Sequence, residues 1–213
     1  MSKRLVIIGA SGLGKEVAWL AKRLKINILG FLDDREELIG NLFYDYPVLN
    51  TIRNWREYRD CDFVIAIASP RVRKRVVERM RSAEQPSFIT LIDPSVLIGD
   101  EINNVGLGSI ICAGTVCTAD ICIGDFVIVN KLVSIGHDVV VHDFCTISPK
   151  VMLGGEVKVL SGAEVGASSS VRQGILVGKG SVIGMGSTVV KSTDENSLYF
   201  GVPASKVREL SQF

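Results

Sequence analysis

Two histidines in 213 residues are too few for a three-histidine zinc centre. The five cysteines, Cys61, Cys112, Cys117, Cys122 and Cys145, are odd in number and contain no C-x-x-C pair. Neither a disulfide framework nor a thiolate metal site is therefore expected. Charge of one sign is also lacking. Lys and Arg number 24 against 23 Asp and Glu, a net charge of +1, so no global field draws the chain to nucleic acid or to an anionic membrane. No apolar run approaches the roughly 20 residues that span a bilayer. The run Leu5-Val6-Ile7-Ile8 stops at Gly9, too short for a signal-peptide core, and a cytoplasmic protein is expected. Aromatic residues are only 7% of the chain, which leaves little for an ordinary sandwich core.

What is abundant is glycine, 21 residues, set among Val and Ile in two different rhythms. Up to about residue 92, strand and helix signals alternate. Leu5–Ile8, Ile28–Leu32, Phe63–Ile67 and Phe88–Ile92 read as strands. Lys15–Leu24 reads as a helix with Val17, Leu20, Ala21 and Leu24 inward, and Pro70–Arg81 as a basic helix with Val72, Val76, Val77 and Met80 inward. This order predicts a small Rossmann-like α/β domain over residues 1–92, with helices on a parallel sheet.

From residue 93 to 213 the period is six. Val105, Ile111, Cys117, Ile123, Val129, Ile135, Val141, Ile147, Leu153, Val159, Val165, Val171, Val177, Ile183 and Val189 are all apolar. Glycine often follows, at Gly106, Gly124, Gly136, Gly154, Gly166, Gly178 and Gly184. Two residues before the slot the side chain is small or β-branched, as at Ser109, Thr115, Val127, Ala163 and Ser181. Such a repeat predicts a parallel β-helix, three hexads to a coil, each aliphatic stacked inward on its counterparts. Glycine and the small residues are expected at its tight corners. The segment from Tyr199 to Leu210 leaves the repeat and is expected to cover one end.

The hexads, with Gly201-Val202-Pro203-Ala204 near the end, resemble the hexapeptide-repeat acyltransferases. That resemblance implies a left-handed β-helix, although connectivity rules alone favour a right-handed crossover. It also implies acetyl-CoA as co-substrate and a homotrimer with active sites between subunits. The opening Gly9-Ala10-Ser11-Gly12, then Phe31-Leu32-Asp33-Asp34, then the hexads, resembles one branch over essentially the whole chain. That branch holds the bacterial N-acetyltransferases of nucleotide-linked 4-amino sugars and the sialic acid O-acetyltransferases.

Acetyl transfer needs a base for the attacking group and donors for the thioester oxyanion. Of the two histidines, His137 has an acidic neighbour, Asp138, and the family places its base at this position. His142, in the same repeat, reads as a solvated corner. The resemblance implies Gly155 as an oxyanion donor through its N–H, and Thr146, Ala167, Gly184 and Met185 along the CoA groove. It implies Asn130 near the acceptor amine, though a turn Asn bonded to backbone fits the position nearly as well. Relatives often carry His at the positions of Thr146 and Leu13, so contacts there differ in this chain. In the N-terminal domain the turn reads G-x-x-G-x-G rather than the dinucleotide fingerprint. Ser11, Gly12 and Leu13 lie in this turn, where a phosphate or uracil can approach the backbone at the N-terminus of the helix that follows. Asp33 and Asp34 end a strand where ribose hydroxyls or a base N–H would be held.

The expected activity is acetylation of the amine of a nucleotide-linked 4-amino-6-deoxy sugar by direct attack, with no metal and no nucleic-acid partner. O-acetylation of a sialic-acid-type sugar, by the same base, is the alternative. A γ-class carbonic anhydrase is excluded by the histidine count, and a non-catalytic nucleotide-sugar-binding protein remains as a third reading.

Overall fold

The computed structural model describes residues 3–99 and 104–213. The chain divides into two compact units. One holds the chain up to Ala68 and Val72–Leu91; the other holds Ser69–Arg71 and the chain from Ile92 onward.

The first unit is a six-stranded sheet. Its strands are β1 (Leu5–Ile8), β2 (Ile28–Leu32), β3 (Leu42–Phe43), β4 (Tyr46–Asn50), β5 (Asp62–Ile65) and β6 (Ser87–Phe88), in the order β3-β4-β2-β1-β5-β6. All pairings are parallel except the β3–β4 hairpin. The central β1 is fully buried, as its unbroken apolar run requires. Helix α1 spans Gly12–Arg23, three residues earlier at its start than the apolar periodicity indicates. The last glycine of the expected turn, Gly14, lies inside the helix, where a Cβ would meet the Gly9 carbonyl oxygen at 2.3 Å. Gly9 makes the turn itself, with φ 106°. Helix α2 spans Pro70–Arg81. Its inner face is rotated from the expected one. Val76, Val77 and Met80 are buried, but Val72 is exposed and Arg73 is fully buried, donating to the carbonyls of Ile67 (2.6 Å) and Ala68 (2.9 Å).

The second unit is the left-handed parallel β-helix, a prism with three faces of two-residue strands. Its first face carries Leu91–Ile92, Ile110–Ile111, Ile128–Val129, Thr146–Ile147, Glu164–Val165 and Val182–Ile183. The second carries Leu97–Ile98, Val116–Cys117, Ser134–Ile135, Met152–Leu153, Ser170–Val171 and Thr188–Val189. The third carries Asn104–Val105, Cys122–Ile123, Val140–Val141, Lys158–Val159 and Leu176–Val177. Ile128 pairs with Thr146, Ser134 with Met152 and Val140 with Lys158, so one coil is three hexads. The column starts further upstream than a strict period of six reveals. Leu97 pairs with Val116, while Asn104 pairs with Cys122, so one extra residue lies between these two rungs.

The slots from Ile111 to Val189 form one continuous buried core. Each fully buried aliphatic contributes about 1.5–3 kcal/mol. The small residues two before the slot are buried as well, and their hydroxyls satisfy corner carbonyls. Ser109 donates to the Gly124 carbonyl (2.8 Å), Thr115 to Asn130 (2.9 Å) and Ser169 to Gly184 (2.9 Å).

The glycines after the slot serve a different purpose from the expected one. None has a positive φ; they are glycine because the next coil passes too close. A Cβ on Gly106 would meet the backbone of Gly124 at 2.3 Å, and one on Gly166 the Met185 nitrogen at 2.5 Å. The left-handed position lies two residues further on, and glycine fills only part of that column. Asp120, Phe126, Leu132, Asp138, Phe144, Lys150, Glu156 and Ser168 adopt φ between 53° and 62° there. The conformation costs an L-residue roughly 1–2 kcal/mol. It turns the amide onto the preceding coil, where Asp138 N–H meets the Ala119 carbonyl (3.0 Å) and Phe144 N–H that of Asp125 (2.9 Å).

After the last hexad, Ser197–Gly201 continues the first face in parallel with Val182–Ile183, and Ala204–Glu209 returns antiparallel beside it. The segment expected to cover an end prolongs one face by two strands and packs Tyr199 and Ala204 against the core.

Candidate active site

The corner between the second and third faces carries His137. Ile135 fills the core slot, and Gly136 follows because the Gly155 nitrogen lies 2.8 Å from where its Cβ would be. His137 and Asp138 then project into solvent. The left-handed conformation of Asp138 (φ 59°) turns its carboxylate back to the ring, and His137 Nδ1 stands 2.7 Å from Asp138 Oδ2. A carboxylate only accepts, so Nδ1 carries the proton and Nε2 presents its lone pair. The Asp138 bond raises the His137 pKa above its ordinary value. Desolvation opposes this, and the charges of Asp138 and then Glu156 add to the rise.

Nε2 points over Gly155, in register on the following coil. A Cβ on Gly155 would lie 2.5 Å from Nε2 and 2.6 Å from Cε1, so only glycine leaves room for the ring. Among the described residues no carbonyl accepts from the Gly155 N–H. His137, Asp138 and Gly155 are thus brought together. Beside them lies an open depression of about 630 Å³ lined by Asp138, Glu156, Lys158, Gly174, Ile175 and Leu176. Glu156 and Lys158 carry no motif that flags them in the sequence; only the 18-residue register brings them here. His142 sits at a different corner, after the third face, and is exposed.

The remaining predicted prism residues fall elsewhere. Asn130, Ala167, Gly184 and Met185 follow first-face strands and share the corner between the first and second faces. Asn130 Oδ1 accepts from the Lys131 N–H (2.8 Å), the local backbone engagement of a turn Asn. Met185 is 72% exposed. Thr146 is buried on the first face itself. Within one chain these residues do not meet His137. Cys117 fills a core slot, where burial pushes its thiol up to about 11, away from nucleophilic use. Among the described residues no group of His, Cys, Asp or Glu is set to hold a metal ion, and no helix is long and apolar enough to cross a membrane.

In the first unit, α1 begins at Gly12 with Ser11 as N-cap and no side chain bonded to its free amides. Nothing stands within 4 Å of where a Cβ of Gly12 would be, so the approach to this terminus is open, and Leu13 is half-buried beside it. Asp33 is engaged differently from its expected role. It is 8% exposed and accepts from Ala10 N–H (2.8 Å), Arg35 N–H (3.0 Å) and Arg35 Nε (2.8 Å) and Nη2 (2.9 Å). Burial pushes its carboxyl up, but these bonds more than offset that and hold it below the usual carboxylate range. The Arg35 guanidinium also donates to the Ala10 carbonyl (2.6 Å), so the pair fastens the glycine turn. Asp34 accepts from Ile52 N–H (3.0 Å) and pairs with Arg79 (3.2 Å). It lines a cavity of about 370 Å³ with Val72, Arg75, Val76 and Arg79. Arg35 was missed because nothing local marks it. Arg75 and Arg79, four apart on one face of the basic helix, carry no motif of their own and are joined to Asp34 only by the fold.

Residues 4–80 match the family model described as the PglD N-terminal domain. A putative acetyltransferase of Bacillus subtilis (strain 168), YvoF, is 22% identical over 165 residues, 78% of this chain and 81% of that protein. Perosamine N-acetyltransferase from Caulobacter crescentus, solved as a variant with CoA and GDP-perosamine, is 25% identical, with a TM-score of 0.89 over 97% of both chains. The acetyltransferase domain of PglB from Neisseria gonorrhoeae FA1090, solved with acetyl coenzyme A, is 29% identical, with a TM-score of 0.89 over 97% of this chain and 100% of that one. The similarity to the hexapeptide-repeat acyltransferases, and to their nucleotide-sugar branch, therefore extends over both units, and the chain is an acetyltransferase by these relationships.

Proposed function

We propose that the chain transfers the acetyl group of acetyl-CoA to the amine of a nucleotide-linked amino sugar of the 4-amino-6-deoxy type, with His137 as general base. The observation that carries this reading is the His137–Asp138 pair, whose Nε2 lies over Gly155, a residue whose N–H meets no carbonyl among the described residues. The amine nitrogen attacks the thioester carbonyl while Nε2 takes its proton. The carbonyl oxygen gathers charge beside the Gly155 N–H. The tetrahedral intermediate collapses, the C–S bond breaks, and the departing thiolate takes the proton from the imidazolium. The products are the N-acetyl sugar and CoA thiol, and Asp138 stabilises the imidazolium in between. Similarity to enzymes solved with CoA and GDP-perosamine supports the co-substrate and the acceptor class.

The N-terminal unit supplies the nucleotide subsite in this reading. The open end of α1 takes phosphate, and the Asp34–Arg79–Arg75 cavity offers both an acceptor and donors. The chain acts in the cytoplasm, where acetyl-CoA and nucleotide sugars are made. It works as a homotrimer with the site between subunits. Two observations favour this. Ala167, Gly184 and Met185, assigned to CoA, and His137, assigned as base, occupy different corners of one prism, so a neighbouring copy is what joins them. The second face and its corner with the first also expose Leu97, Leu132, Met152 and Met185, a patch of large apolar side chains.

The test is thiol release from acetyl-CoA with UDP-, dTDP- and GDP-linked 4-amino-6-deoxy sugars and with free sialic acid. Turnover of one nucleotide amino sugar is expected. Turnover of sialic acid alone would move the chain to O-acetylation.

A further inference from the structure

The left-handed position of each corner recurs every 18 residues and forms a column along the prism. Between the third and first faces it holds Gly108, Phe126, Phe144, Gly162 and Gly180. Between the first and second it holds Gly114, Leu132, Lys150, Ser168 and Gly186. Only the column beside His137 is acidic: Asp120, Asp138, Glu156 and then Gly174. Strands in register stack about 4.8 Å apart, so these carboxylates repel one another, a cost the other corners avoid. Asp138 has a stated partner in His137 Nδ1. Glu156 forms no salt bridge with Lys or Arg among the described residues. Yet Glu156 is fastened to the histidine turn, because its N–H donates to the His137 carbonyl at 2.8 Å. It also follows Gly155, over which the imidazole lies, and shares with Asp138 the wall of the 630 Å³ depression.

We propose that Glu156 is a positioning residue for His137. Its carboxylate, one coil from that of Asp138, holds the neutral imidazole in place and draws a cationic acceptor amine to this corner, where the ammonium gives one proton to solvent before its nitrogen attacks, favouring amines over hydroxyls. This deepens the acetyl-transfer reading and rests on it for the choice of acceptor. Glu156 makes and breaks no bond; it acts on charge alone. A sugar amine arrives largely as its ammonium near neutral pH, whereas a hydroxyl brings no charge, so a second carboxylate improves the encounter with the first only. The charge of Glu156 also adds to the rise in the His137 pKa, in the direction this role requires. The charged groups around the ring are Asp138 on its own turn, Asp120 on the coil before, and Glu156 and Lys158 on the coil after.

The experiment is a proton NMR titration of the two imidazoles in the full chain, assigned with a His142→Gln variant. Glu156→Gln is expected to lower the His137 midpoint and leave that of His142 in place, by less than Asp138→Asn does. Glu156→Asp restores part of the shift. Glu156→Gly, which removes the charge while relaxing the left-handed backbone, behaves as Glu156→Gln and so separates charge from folding. In turnover, Glu156→Gln lowers kcat/KM for the amino sugar several-fold, less so at high salt. The rate with the matching hydroxyl sugar, which loses only the positioning of the base, falls less. An unmoved His137 midpoint in both Glu156→Gln and Glu156→Gly, or an equal loss on amine and hydroxyl acceptors, overturns the proposal. The titration needs no acceptor, so wild-type silence on every amino sugar would count against the acetyl-transfer reading and not against the Glu156–His137 coupling.

Discussion

Replacing Gly155 with alanine places a methyl group 2.5 Å from His137 Nε2, 2.6 Å from Cε1 and 3.0 Å from Cδ2. Ordinary contact begins near 3.4 Å, so the ring must retreat by about 1 Å. It has somewhere to go within the chain, because more than half of the side chain is exposed. The Gly155 φ is not positive, so alanine brings no backbone strain. The fold should therefore lose no more than about 1 kcal/mol, the scale of an off-rotamer side chain. The chemistry should suffer far more. The retreat pulls Nδ1 from its 2.7 Å contact with Asp138 and carries Nε2 off the line of attack. A misplacement of about 1 Å costs on the order of 100-fold in rate. Gly155→Ala keeps its N–H, so the oxyanion donor survives and the loss reports on the base. The assay is kcat for thiol release at saturating substrates, beside a thermal melt. A melt within a few degrees of wild type with kcat reduced about 100-fold is predicted. A kcat within threefold of wild type would refute the placement of Nε2 at the reacting amine.

Other perturbations follow from the same geometry. Asp138→Asn removes the bond that raises the His137 pKa. A general base works in its neutral form, so the acid limb of the pH–rate profile should move to lower pH while the plateau falls. An unshifted limb would detach Asp138 from the base. Asp33→Asn should destabilise the first unit by roughly 1–3 kcal/mol, the cost of leaving buried donors poorly satisfied. The Asp33 pKa is depressed on folding, so its contribution is present above the unfolded carboxylate range and is lost as pH falls through the folded value. Urea melts from pH 7 downward should show wild type converging on the variant. Gly106→Ala and Gly174→Ala separate the two uses of glycine in the coil. The first drives a methyl into the Gly124 backbone and should cost about 3 kcal/mol or more. The second sits at φ 69° with nothing within 4 Å and should cost only about 1 kcal/mol. Equal losses in chemical melts would contradict the close-approach account.

The prism was legible because its core repeats one demand, an inward aliphatic every six residues, over many coils. His137 and Asp138 were legible because they are adjacent in sequence. What stayed hidden depends on the 18-residue register or on side-chain pairings that no motif marks. Glu156 meets the His137 turn only after one full coil, and no local pattern marks it, whereas Gly155 was reached through the family resemblance. The early rungs at Ile92 and Ile98 escaped because a single extra residue shifts their phase. Asp33 reads as a free strand-end carboxylate until Arg35 and the Ala10 amide are seen to enclose it. Val72 and Arg73 exchanged places because apolar periodicity assumes that an arginine faces water. The Arg73 guanidinium instead meets the carbonyls of Ile67 and Ala68, in the segment between β5 and α2.

The account turns most directly on His137. Its test is thiol release by the His137→Ala variant, at saturating acetyl-CoA and with the nucleotide amino sugar the wild type accepts, alongside CoA binding measured by calorimetry. The prediction is CoA affinity close to wild type and a kcat reduced 10²–10⁴-fold, the usual size of a general-base contribution. A variant that keeps wild-type kcat would contradict the account, since no other imidazole stands at this corner to take the proton.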